Sequence, residues 1–123
     1  MAYIDDGVLD AALAAISGVA ENLYITSQEA ATYAEAQTTY KLGTKASPGF
    51  TGPANGDASG RKTTVDAVTD GTVDATGTAT HWALCDNSET QLLAAGALSE
   101  GQVVTSGNTF TLTAFDIEFP DPA

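Results

Sequence analysis

Alternation of apolar and polar positions dominates the C-terminal half of the chain. Between residues 72 and 119, short apolar runs are separated by hairpin-length polar breaks, which predicts consecutive β-strands. Run 78–85 ends at Asp86-Asn87-Ser88-Glu89, run 91–98 follows, and run 109–113 comes after a Ser106-Gly107-Asn108 turn. Three such strands in succession predict an antiparallel meander. Phe110 and Leu112 fall on even positions, whereas Phe115, Ile117 and Phe119 fall on odd ones. One inserted residue near Thr113 and Ala114, a β-bulge, would switch the inward face, bury all five and leave Asp116 and Glu118 outward.

The N-terminal pattern has a different period. Val8, Leu9, Ala12, Leu13, Ile16 and Val19 recur at spacings of three and four, which predicts an amphipathic helix. Asp5 and Asp6 suit its start, as cap and as charge near the positive end of the dipole, and Gly18 suits its end. Ala11, Ala14 and Ala15 make the far face small, so the helix can be covered both by its own sheet and by a neighbour. Residues 23–27 predict a short strand and 29–40 a loop with a helical turn. Residues 41–62, punctuated by Gly43, Pro48, Gly49, Gly52, Pro53, Gly56 and Gly60, predict a long irregular excursion. Residues 63–69 alternate as a strand, and Asp70-Gly71 is a hairpin signal. The returning strand, from Val73, bends at Gly77 into the His81-Trp82 strand. The expected class is therefore mainly β, an antiparallel β-sandwich with one N-terminal α-helix and a long irregular Gly/Pro-rich loop. The expected organisation is a single domain over 1–123: helix in 1–20, irregular loop or arm in 41–62, core strands in 63–119.

Charge sharpens this picture. Sixteen acidic and four basic residues give a net charge of -12, which argues against the phosphate-neutralising surface that nucleic acid demands and disfavours an anionic membrane for the same reason. Residues 41–62 sum to +3, against -6 before and -9 after, because all four cations, Lys41, Lys45, Arg61 and Lys62, lie there. With Phe50 they form the candidate subunit-docking set: the favoured reading is an arm that reaches an acidic patch of an identical or different subunit, and the alternatives are a segment that folds over its own acidic body and a mobile surface loop. Met1 is followed by Ala-Tyr-Ile-Asp-Asp, and no run approaches membrane-spanning length, which predicts a soluble product of the cytoplasm.

Candidate chemistry is sparse. His81 and Cys85 share strand parity, but they are the only His and Cys and cannot complete a zinc site. No Gly-x-Ser-x-Gly elbow, phosphate loop or EF-hand spacing occurs. Cys85 reads as a small core hydrophobe and Trp82 as a core aromatic. Acids such as Asp70, Asp74, Asp86, Glu89 and Glu100 sit at turns. The expectation is a non-enzyme with no catalytic residues, no metal and no cofactor.

Thr80-His81-Trp82-Ala83-Leu84, then Leu92-Leu93-Ala94-Ala95-Gly96-Ala97-Leu98, then Ser106-Gly107-Asn108-Thr109-Phe110 resembles a strand-and-turn pattern of small structural proteins of tailed bacteriophages. Ser27-Gln28-Glu29-Ala30-Ala31-Thr32-Tyr33 and Tyr40-Lys41-Leu42-Gly43 extend the likeness. The resemblance implies a virion structural protein, foremost a capsid decoration or cement protein that reinforces contacts between shell subunits. It would be assembled in the host cytoplasm, present in many copies or as a homo-oligomer, with the major capsid protein or other virion subunits as partners. A tail or tail-fibre component is the alternative within that class. A glycan-binding module using Tyr33, Tyr40 and Phe50 is the alternative outside it.

Overall fold

The structure is a computed structural model that describes residues 4–57 and 59–120. In chain order it contains helix α1 (Asp6–Ser17), β1 (Asn22–Thr26), a π-helical turn (Glu35–Thr39), β2 (Lys41–Ala46), β3 (Phe50–Asn55) and β4 (Arg61–Val65). There follow β5 (Val68–Val73), β6 (Gly77–Asp86), β7 (Gln91–Val104), β8 (Thr109–Leu112) and β9 (Phe115–Phe119). The chain is mainly β and antiparallel with one N-terminal helix, as the strand pattern predicts, and its curled sheets are consistent with a β-sandwich-like fold. Its residues group into two compact units interleaved in sequence. One holds the described residues up to Val19, Gly49–Ala67 and those from Thr113 onward; the other holds Ala20–Pro48 and Val68–Leu112.

The first unit is α1 on a three-stranded sheet ordered β3-β4-β9. Asp5 caps the helix: its carboxylate accepts from the Gly7 amide at 2.8 Å, and Asp6 adds negative charge to the first turn. The Gly18 amide donates to the Ala14 carbonyl at the other end. Leu9, Leu13 and Ile16 are buried, whereas Val8, Ala12 and Val19 are exposed, so the apolar stripe is narrower than its spacing predicts. Register places Phe50 and Phe115 beside Val65, Ile117 beside Thr63 and Phe119 beside Arg61, all on one face of this sheet.

The second unit is a six-stranded sheet ordered β7-β6-β1-β2-β5-β8, with β1 near its centre. Leu23 and Ile25 of β1 are fully buried and align with Leu84 and Trp82 of β6. On the opposite face Tyr24, Ala83 and Cys85 pack with Ala30 and Ala36, flanked by Tyr33, Leu92 and Ala95. Residues 27–40 thus supply part of this second core, and Thr32 and Glu35 fix the turn: Thr32 Oγ1 accepts from the Glu35 amide, and Glu35 Oε1 from the Ala31 amide. Two aromatic rings lie flat on glycines. The Phe110 ring occupies the space where Gly71 would carry a side chain, and a Cβ at Gly96 would lie 2.7 Å from Trp82 Cζ2. The missing side chains let the rings fill the core at normal density.

Several expectations are corrected. Residues 41–62 are not an irregular loop or arm: they form β2, β3 and the start of β4, and Pro53 sits in β3, an edge strand, where its missing N–H costs no ladder bond. Gly52 and Pro53 lie where the β3–β4 register shifts, and Gly56 and Gly60 lie in the turn that follows β3. Asp70-Gly71 is no hairpin, because β5 runs through it and Gly71 accommodates the Phe110 ring instead of a turn. The meander holds for β6 and β7 only; β8 pairs with β5 at the far edge. The parity switch is not a bulge within one strand: β8 belongs to the six-stranded sheet and β9 to the three-stranded one. Of the five residues expected inside, Phe110 is buried, while Leu112, Phe115, Ile117 and Phe119 are half-buried; Asp116 is exposed and Glu118 half-buried.

Gly71→Ala should therefore destabilise the protein by about 1–3 kcal/mol through overpacking against the Phe110 ring. Phe110→Ala alone should cost about 3–5 kcal/mol. Chemical denaturation of the two single variants and the double variant checks this: in the double variant the Gly71→Ala penalty should largely vanish, and an additive double variant would refute the ring-on-glycine packing.

Candidate docking surface

The five residues expected to dock a partner are placed by two strands and the start of a third. Lys41 and Lys45 lie on β2 in one unit; Phe50 begins β3, and Arg61 and Lys62 begin β4, in the other. Each cation already has an acidic partner inside its own unit. Arg61 grips Asp10 of α1 with two guanidinium nitrogens, Nε to Oδ1 at 2.7 Å and Nη2 to Oδ2 at 3.3 Å, while Nη1 donates to Asn55 Oδ1 at 2.7 Å. Such a planar fork matches a carboxylate in a way an ammonium cannot. Its neighbour Lys62 points to the other face of the sheet and bridges Asp57 at 2.7 Å and Asp116 at 3.1 Å. Lys45 Nζ lies 3.1 Å from Asp70 Oδ1; Lys41 Nζ lies 3.6 Å from Asp74 Oδ2 and 5.9 Å from the centre of the Tyr24 ring. Phe50 is half-buried opposite Val65. Of the fates open to the basic segment, the chain adopts the one in which it folds over its own acids.

The protonation equilibria follow this geometry. The hydrogen bond to Asp10 raises the Arg61 guanidinium above its ordinary value, and those to Asp57 and Asp116 do the same for Lys62. Asp116 is held below the usual carboxylate range by the Thr64 hydroxyl, which donates to Oδ1 at 2.7 Å, and by Lys62. Asp86 is lowered as well, first by Ser88, whose hydroxyl donates to Oδ1 at 2.7 Å.

The residues weighed for catalysis stand apart. Thr80 Oγ1 donates its one proton to the Ser27 carbonyl at 2.9 Å, so at 2.8 Å it accepts from His81 Nδ1, which fixes the ring tautomer. His81 Nε2 lies 4.0 Å from Glu29 Oε2. Cys85, four residues along the strand, is buried, and burial pushes its thiol up to about 11. It packs as the small hydrophobe expected of it, and Trp82 is buried as expected. Among the described residues no group of three or more His, Cys, Asp or Glu side chains is placed to hold a metal ion, and no helix is long and apolar enough to cross a membrane. Tyr33, Tyr40 and Phe50 are each half-buried in their units, and Tyr33 packs against the Tyr24 cluster.

No family model, curated protein or solved structure matches this chain. The feature that strand reading overlooked is the sheet edge formed by β7. Pattern gave a strand there but not its place in the sheet; residues 90–99 carry no charge, but neither do residues 101–115, so charge alone does not mark the edge.

Asp116 gives a pH prediction. Because its folded-state value is depressed, its contribution to stability is present above the ordinary aspartate value of 3.8 and is lost as pH falls through the lowered one. Asp116→Asn should be less stable than the parent at neutral pH and should lose stability less steeply below about pH 4. Thermal melts across that range check it, and identical acid limbs in parent and variant would contradict the assignment.

Proposed function

We propose that this chain is a non-enzymatic structural protein of a tailed-bacteriophage particle, a decoration protein that binds the capsid exterior and reinforces contacts between shell subunits. Its partners are the major capsid protein and further copies of itself, and it joins the particle in the host cytoplasm. The strand-and-turn resemblance supports the class. The observation that carries the docking mode is the internal pairing of Lys41, Lys45, Arg61 and Lys62. With its few cations engaged by its own acids, a body of net charge -12 presents a predominantly acidic exterior, and the complementary surface is a basic one. Docking is therefore acid-to-base, with this chain supplying the acid, and charge sets orientation and encounter rate while apolar contacts hold the complex.

Imaging of particles with and without the protein tests this reading. The expected result is ordered density on the shell exterior that is lost in particles lacking the chain. The protein should also load onto bare shells more slowly as salt is raised, since the Debye length shrinks from about 8 Å at physiological ionic strength to about 3 Å at 1 M. Density confined to the tail, or glycan capture on an array with no shell density, would overturn it.

A further inference from the structure

The outer edge of β7 is the longest strand edge in the chain, and its N-terminal half, Gln91 to Ser99, carries no charged residue. Among the described residues, β7 pairs with β6 along one side and with no strand along the other. An open edge is a template for another strand, and proteins that must stay apart blunt it with lysine, proline or shortness. The other edges are blunted in these ways. β8 is four residues long, β3 contains Pro53, and β9 carries Asp116 and Glu118. β7 is fourteen residues long, has neither lysine nor proline, and carries its one charged residue, Glu100, beyond the run from Leu92 to Leu98. Near its C-terminal end Gln102 Nε2 donates to the Thr111 carbonyl of β8 at 2.9 Å, so the open stretch is the N-terminal half.

That half is nearly the same read in either direction. Leu92-Leu93-Ala94-Ala95-Gly96-Ala97-Leu98 is a quasi-palindrome about Ala95. In an antiparallel pair of identical strands the two-fold axis passes through one self-paired residue, and every other residue i faces a fixed partner. With Ala95 on the axis, Leu92 faces Leu98 of the second copy, Leu93 faces Ala97 and Ala94 faces Gly96. Glu100 then faces Thr90, and Glu89 faces Gly101, so no carboxylate meets another across the ladder. Register shifts against β6 fall at Leu93 and across residues 98–101, which leaves Ala94 to Ala97 as the regular stretch, and the axis lies within it. Two copies of net charge -12 thus have an uncharged line along which their sheets can join.

We propose that the β7 edge is a homotypic docking site, at which a second copy of this chain adds its own β7 antiparallel about Ala95 and continues the six-stranded sheet from one molecule into the next. This inference rests on the edge and its sequence and not on the location of the protein in a particle. The regular stretch is short, so the association is weak in dilute solution and grows with concentration.

Sedimentation velocity and amide hydrogen exchange of the full chain, run over a concentration series to about 1 mM, test it. The expected result is a monomer–dimer equilibrium in which exchange of β7 amides slows as concentration rises while that of β8 and β9 amides does not change. Ala97→Glu places an extra carboxylate at an exposed position beside the axis and should weaken the dimer at least tenfold, whereas Thr105→Glu, the same charge in the exposed turn after β7, should leave it unchanged. Circular dichroism confirms that both variants fold. A monomer at every concentration, or a dimer that Ala97→Glu and Thr105→Glu affect alike, would overturn the proposal.

Discussion

Like-charge repulsion is the constraint under which this structure is built. Sixteen acids and four cations share 123 residues, and each cation is held by a carboxylate distant in sequence, Lys62 by the nearby Asp57 as well. Lys41 and Lys45 tie β2 to Asp74 and Asp70 in and beside β5, the strand with which β2 pairs. Arg61 ties β4 to α1, and Lys62 ties it to Asp116 of β9 as well as to the nearby Asp57. Ion pairs on a wet surface contribute little individually. Their effect here is local neutralisation at the seams between elements, where the acids would otherwise face one another.

Stability itself comes from the buried faces. In the larger unit Leu23, Ile25 and Leu84 lie on one side of the sheet and Tyr24, Ala83 and Cys85 on the other, so β1 and β6 are covered on both faces and read as nearly continuous apolar runs. Phe110 over Gly71 and Trp82 over Gly96 show how bulky rings were fitted: the backbone gives up a side chain where the ring lies. In the smaller unit α1 supplies the cover, and Arg61 joins the polar rim of that same helix-facing surface through Asp10. Packing and charge therefore meet on one strand, since β4 buries Thr63 and Val65 while presenting Arg61 and Lys62 at its start.

Local signals were readable where one physical rule acted alone. The helix with its Asp5 cap, the short β1 and the β6–β7 hairpin follow directly from periodicity and turn chemistry. Residues 41–62 misled because glycine and proline mark loops and also mark edge strands, bulges and close backbone approaches, and only tertiary context separates these uses. Asp70-Gly71 failed for the same reason, with an aromatic ring from β8 deciding the role of the glycine. The even-to-odd change between Leu112 and Phe115 was a true signal with the wrong cause, because a change of sheet resets parity as completely as a bulge does. The cations were visible as a cluster, yet their partners Asp10, Asp70, Asp74 and Asp116 lie far along the chain, and no spacing rule connects them.

The claim on which this account depends is that the four cations serve the fold of the chain itself and not a free arm. The measurement that tests it most directly is thermal unfolding of the variant carrying Lys41→Gln, Lys45→Gln, Arg61→Gln and Lys62→Gln at several salt concentrations. Removing the cations raises net repulsion and unpairs carboxylates at the β2–β5, β4–α1 and β4–β9 seams, so the account predicts a lower melting temperature at low salt and a gap to the parent that narrows as salt is added. A variant that melts like the parent at low salt would mean that the cations are free of the fold, and the account would be wrong.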